Sequence, residues 1–261
     1  MKKLILGLLI CHLALAVIQA QGEIARQSPI FFRNEQSLAL LLNSNGYGIN
    51  GRYAKRINAR RKTIFDIDFV GIKHPKEVRI SNNFISNRSF VYGKQNSFFN
   101  LRVGYGKQKE LYRKIDKGGI SIRRFFSFGP TAGFIKPIYY EVFETNQSNP
   151  GSEYYLTDKK FNTSIHQTSI YGRSSFCKGF NEIEVVPGIH GRLGISFEYS
   201  RQSITLHALE GGIMLDAFPK KIPIMATEDN SFIFFSLFVS YRFGKIVDDR
   251  GIIDEKDLVY Q

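Results

Sequence analysis

The stretch "EIEVVPGIHGRLGISFEYS", residues 182–200, changes chemistry from one residue to the next. Ile183, Val185, Pro187, Ile189, Leu193, Ile195, Phe197 and Tyr199 share one parity, and Glu182, Glu184, His190, Arg192, Ser196 and Glu198 share the other. Period-two alternation puts the two sets on opposite faces of a β-strand. Ordinary strands hold about 5–6 residues, so a run this long needs a reason. Crossing a bilayer is one, because a tilted spanning strand takes about 9–11 residues.

Seven more alternating segments follow the same rule: 37–44, 46–55, 63–73, 98–107, 119–142, 205–218 and 231–243. In "TIFDIDFVGIK", residues 63–73, Phe65, Ile67 and Phe69 oppose Asp66 and Asp68. In "FFNLRVGYGK", residues 98–107, Phe99, Leu101, Val103 and Tyr105 oppose Asn100 and Arg102. Long and short connections alternate along the chain, the tight "NSNG" at 43–46 being the exception on the long side. Outer-membrane barrels have this asymmetry, with short periplasmic turns, longer outer loops and an even strand number. The expected fold is therefore all-β, an antiparallel up-and-down transmembrane β-barrel of about 8 strands. Ten become possible if parts of 78–95 and 139–180 join the wall.

The chain of 261 residues opens with Lys2 and Lys3 before an uncharged apolar run, Leu4–Ile18. This length is short for a membrane span and fits a secretory signal peptide over residues 1–20. The expected organisation is then a periplasmic segment at 21–34, the barrel at 35–244 and a periplasmic tail at 245–261. Cys11 leaves with the signal, so Cys177 stands alone and no internal disulfide is expected. The net charge of +13 becomes +11 without Lys2 and Lys3. A secreted basic chain suits anionic lipid rather than nucleic acid.

A soluble β-protein would satisfy the same periodicity with its apolar face turned inward. The polar face argues for the membrane. It carries Arg52, Asp66, Asp68, Arg102, Arg123, Glu184, His190, Arg192, Glu198, Glu210, Asp216 and Arg242, a near balance of arginine and carboxylate plus one histidine, and it is not lysine-rich. Buried charge must be paired, and a closed interior supplies the pairs. Tyr53, Tyr105, Tyr199, Tyr241 and Phe243 lie at the turn-side ends of the apolar face, where an aromatic girdle belongs. Lysines gather at strand ends: Lys55, Lys62, Lys107, Lys114 and Lys117 by the turns, and Lys73, Lys76, Lys94, Lys136, Lys220 and Lys221 by the loops. The loop-side set is the expected contact for lipopolysaccharide phosphates or an acidic partner, since lysine reaches out from an interface.

The end of the eighth segment, "FVSYRF" (238–243), resembles the terminal β-signal of bacterial outer-membrane proteins, although "GKIVDDRGIIDEKDLVYQ" follows it here. The ordered set "GIKHPKE", "VYGKQNSFFNLRVGYGKQ", "FIKPIYYEV", "EVVPG" and "FPKKIPIM" resembles small Bacteroidota-type outer-membrane β-barrel proteins. That resemblance implies the fold and the cell outer membrane as location, and it supplies no catalytic residues.

Chemistry is sparse. Neither His166, His190 nor His207 is followed two residues later by the serine that a lipid A deacylase places beside its histidine. Glu184, His190 and Glu198 share a face, and a salt-bridge network with Arg192 and Arg102 explains them better than acid–base catalysis. Asp66 and Asp68 lack calcium-loop spacing, and no zinc spacing, P-loop or dinucleotide fingerprint appears. No enzyme activity, metal or cofactor is expected. The expected role is structural or interaction-based, as an accessory component of an envelope complex or a lipopolysaccharide-contacting barrel. The alternative is a small-solute channel, with a lipid A-modifying enzyme third. Partners are outer-membrane lipids and other outer-membrane or periplasmic proteins.

Overall fold

A computed structural model of the chain describes residues 34–81, 88–116, 118–144, 155–202, 204–248 and 251–252. The expected signal peptide, Lys117 and most of the expected tail lie outside the described residues. Eight long strands form the wall: β1 (Asn34–Asn43), β2 (Gly46–Asn58), β3 (Arg61–Ile72), β4 (Asn96–Tyr112), β5 (Ser121–Pro137), β6 (Glu184–Glu198), β7 (Thr205–Ala217) and β8 (Ile233–Asp248). Each pairs antiparallel with its neighbours in sequence, and β1 pairs antiparallel with β8, so the sheet closes on itself. Gly251–Ile252 adds a short pairing to the end of β8.

Closure carries a stagger. A line of paired residues leaves β1 at Glu35, runs through Ala54, Ile64, Gly106, Ser127, Arg192, Met214 and Ser236, and returns beside Asn45, where Ser236 Oγ donates to Asn45 Oδ1 at 2.8 Å. The return point lies further up the chain than the start, which is the shear of a barrel whose strands tilt by roughly 35–45°.

Alternation decides which way each residue points. On β3, Lys62, Ile64, Asp66, Asp68 and Val70 are buried, whereas Phe65, Ile67 and Phe69 are exposed. On β6, His190, Arg192, Ser196 and Glu198 are buried, whereas Ile189, Leu193, Ile195 and Phe197 are exposed, Ile189 at 68%. The wall is apolar outside and charged inside, the inverse of a water-soluble barrel.

The segments that could have made ten strands do not enter the wall. Arg79–Ser81 pairs with Ser89–Val91, and Tyr139–Glu144 pairs with both Tyr155–Lys160 and Ile170–Arg173. The expected fifth strand, 119–142, therefore divides after Pro137, which has no N–H to continue the ladder. These short strands build a cap at the loop end with its own core of Phe90, Ile138, Tyr140, Val142, Phe161 and Ile170.

The connection after β7 turns into the barrel mouth. Phe218, Ile222, Ile224 and Met225 are buried there with Leu41, Val70, Ile72, Phe98, Val186 and Phe234. Glycines make the room: a Cβ on Gly188 would lie 2.7 Å from the Phe218 ring, and one on Gly133 would lie 2.7 Å from the Phe98 ring and 2.9 Å from that of Phe218. Asn230 holds the loop by accepting from the Ile224 and Met225 N–H groups at 2.8 and 3.1 Å. Gly93, at φ +81°, lets its carbonyl accept from the Ala226 N–H at 2.7 Å, tying the plug to the strand before β4.

Candidate functional site

Three places gather the charged and aromatic residues: the interior, the turn-side girdle and the loop-side rim. The interior has a middle tier of four arginines, Arg52, Arg102, Arg192 and Arg242, facing four carboxylates, Asp66, Asp68, Glu210 and Asp216. Arg102 forks onto Asp216 through Nε (2.6 Å) and Nη2 (2.7 Å). Arg52 donates through Nε to Asp66 (2.6 Å) and through Nη1 to Glu210 (2.8 Å). Arg242 donates to both Glu210 oxygens at 3.0 Å, and Arg192 Nη1 to Asp68 at 3.4 Å. Bidentate geometry and equal numbers of opposite charges offset the desolvation cost of burying these ions.

Two aromatic rings complete this tier. The Arg52 guanidinium lies 4.4 Å from the Phe125 ring centre and that of Arg192 4.6 Å from Phe238. The alternating pattern did not single out Phe125 or Phe238, because each has an apolar neighbour, Phe126 for one and Leu237 and Val239 for the other, so parity separates nothing by chemistry there.

A second tier lies at the turn end. Arg123 bridges Glu35 and Glu198, Lys62 pairs with Glu35, and Lys114 reaches from the β4–β5 connection to Glu198 at 2.7 Å. Lys62 and Lys114 are thus interior partners and not interface lysines. Glu184 departs from its expected place too. Residues 184–188 pair with β5 but stand beyond the first β6–β7 pair, Ile189 with Ala217, so Glu184 is exposed above the mouth and pairs with Lys220. His190 is buried in the interior on the mouth side of Arg192, with no carboxylate in hydrogen-bond contact, and its Nδ1 has no partner among the described residues. Glu184, His190 and Glu198 therefore lie at three heights and form no acid–base pair.

At the turn-side girdle, Tyr105, Tyr199, Tyr241 and Phe243 are exposed and Tyr53 is half-buried. Tyr105 packs on Phe65 with ring centres 5.2 Å apart, and His207 Nδ1 lies 3.0 Å from the Tyr241 hydroxyl.

The rim differs from expectation in its partners. Lys76 pairs with Glu228 (2.6 Å), Lys94 with Glu77 (2.6 Å) and Lys220 with Glu184. Lys136 is buried, donates to the Lys178 carbonyl at 2.8 Å and sits over the Phe176 and Phe180 rings at 4.9 and 5.1 Å. Of the six lysines, Lys73, Lys136 and Lys221 have no ion pair among the described residues. Acidic residues elsewhere in the chain took Lys76, Lys94 and Lys220, and the sequence does not show which segments meet.

In the cap, the Tyr140 hydroxyl lies 2.7 and 2.8 Å from the Val91 and Lys94 carbonyls, and burial raises its ionisation above the ordinary tyrosine range. Glu182 accepts from Tyr139 (2.6 Å) and pairs with Lys160, which lowers its carboxyl below the usual range; Lys178 and Ser174 do the same for Asp158. The long loops are thereby fastened to one another over the barrel.

No family model matches the chain, and no curated protein matches it in sequence. Solved structures do. Neisserial surface protein A is 11% identical over 81% of this chain and 95% of its own, with TM-score 0.36. The attachment invasion locus protein Ail of Yersinia pestis, in complex with the heparin analogue sucrose octasulfate, is 8% identical over 82% and 98%, with TM-score 0.38. The N-terminal β-barrel domain of Pseudomonas aeruginosa OprF is 7% identical over 82% and 98%, with TM-score 0.33. At such values these likenesses carry no activity across; the chain's own strand register establishes a closed, eight-stranded antiparallel β-barrel.

Proposed function

We propose that the chain is a small outer-membrane barrel of the Bacteroidota type with a structural or interaction role, serving as an accessory component of an envelope complex or as a lipopolysaccharide-contacting barrel. The observation that carries this reading is the inversion of the wall: leucine, isoleucine and phenylalanine outside, ion pairs inside. In water the exposed side chains would form an apolar surface far larger than the few hundred Å² that monomeric soluble proteins show; in a bilayer they are solvated by lipid.

The role follows from what fills the barrel and what crowns it. Interdigitated arginine, carboxylate and phenylalanine side chains occupy the middle, and the loop carrying Phe218 and Ile222 occupies the mouth. Eight strands leave an interior that side chains can fill, which favours a plugged barrel over the small-solute channel. The ordered cap offers outward residues such as Tyr155 and Leu156 to a partner. The signal peptide over residues 1–20, the periplasmic segment at 21–34 and the tail at 245–261 belong to the same reading, as does the absence of enzymatic activity. Two measurements test it. The full chain in planar bilayers is expected to show no unitary conductance, and detergent extracts of the native membrane are expected to co-purify an envelope protein with it. Steady channel openings would replace the role with transport, and a clean monomer with no companion would count against the accessory role.

A further inference from the structure

The outer wall carries a groove of about 890 Å³ where β1–β4 meet the cap. Its floor is a notch. Gly71 pairs with Tyr47 on one side and Phe99 on the other, so the outward row Tyr47–Gly71–Phe99 lacks its central side chain. Phe69 stacks on Phe99 at 5.9 Å with rings 6° from parallel, and Phe176 from the loop closes over Phe99 at 6.4 Å. Leu40 and Ile49 continue the lining down the exposed wall.

The upper end is cationic. Lys73, Arg79, Lys94 and Arg173 line it with a single carboxylate, Glu77. Glu77 is already engaged by Lys94 and by the His74 N–H at 2.9 Å, with 8% of its side chain exposed. Lys73, Arg79 and Arg173 have no carboxylate partner among the described residues, and Lys73 and Arg173 sit over the Tyr47 and Phe176 rings at 5.5 and 5.7 Å. Burial, with the nearby Arg173 and Lys73 charges adding to it, holds the Lys94 ammonium below its ordinary range despite Glu77. An anion seated here would offset that crowding.

We propose that this groove binds one phosphorylated lipid of the outer leaflet, its acyl chain along Leu40, Ile49, Phe69 and Phe99 across the Gly71 notch and its phosphate held by Lys73, Arg79 and Arg173. The inference rests on the membrane reading above. An apolar channel that opens on the lipid-facing wall and ends in unpaired cations matches a lipid at both ends, whereas free phosphate would leave the lower half unused. A barrel wall has no open strand edge there to receive a peptide by strand addition.

The test uses the full chain refolded in detergent and read by native mass spectrometry, titrated with lipid A, with its dephosphorylated form and with inorganic phosphate. Lipid A is expected to bind about tenfold or more tighter than the dephosphorylated form, because charge-assisted hydrogen bonds to phosphate are lost. Arg79→Gln with Arg173→Gln is expected to erase that difference. Gly71→Phe is expected to weaken both lipids by filling the notch; a Cβ there meets Phe99 at an ordinary 3.5 Å, and circular dichroism of the variant checks that the strands persist. Arg124→Gln, on the outer face of β5, is expected to change nothing. Equal binding of both lipids, or a double variant that binds as wild type, overturns the groove, as does full displacement of lipid by inorganic phosphate. Insertion into vesicles separates the two readings: a chain that inserts without lipid preference overturns the groove alone, and a chain that stays in water overturns the membrane reading with it.

Discussion

Arg102 and Asp216 show at the scale of one residue pair why the interior is charged and yet stable. Both are fully buried, and the guanidinium meets both carboxylate oxygens. Removing one partner leaves the other ion without compensation in a medium that cannot solvate it. Arg102→Met alone, or Asp216→Leu alone, is expected to destabilise the folded barrel by about 3–5 kcal/mol, while the two together cost far less, because the pair is close to neutral against apolar side chains of similar volume. Urea unfolding in detergent of the two single variants and the double variant measures this; additive losses would contradict it. The same logic explains which residues were legible. Parity separated Asp66, Asp68, Glu198 and Arg242 from their apolar neighbours. It failed at Lys62, which looked like a turn-end lysine, because the barrel interior extends to the turn and Glu35 waits there.

At the scale of an element, the plug after β7 turns a hollow cylinder into a packed object. Phe218 touches Phe98 and Phe234 with ring centres at 5.4 and 6.1 Å, in space that Gly133 and Gly188 leave open. Phe218→Ala is expected to cost about 3–5 kcal/mol by the burial it loses and the cavity it leaves. The strands themselves should persist, so far-ultraviolet circular dichroism should be unchanged while the unfolding midpoint in urea falls; an unchanged midpoint would mean that the loop does not fill the mouth. This element was invisible in the sequence. "FPKKIPIM" reads as a basic, proline-rich connection, and its apolar residues gain meaning from Phe98 and Leu41, far away along the chain. The cap was hidden for a related reason: its strands are short, their alternation is brief, and they pair with each other instead of the wall.

For the whole molecule, strand number, order and inside-out polarity were readable because each wall strand repeats one rule over many residues, and a slip of one residue would turn every side chain to the wrong face. The candidate sites were readable only in part. The interior pairs follow from parity, whereas the groove needs the Tyr47–Gly71–Phe99 register and the folding of residues 173–176 back onto the wall. An inside-out wall of this kind requires that its apolar face meet lipid. The chain contains no tryptophan, so one introduced residue reports alone. Leu193→Trp, facing outward on β6, and Phe125→Trp, facing the interior from β5, can each be reconstituted in vesicles with brominated acyl chains. With lipid against the apolar face, strong quenching of the tryptophan at 193 and little at 125 are expected. A tryptophan at 193 that bromolipid leaves untouched and an aqueous quencher reaches would contradict that contact.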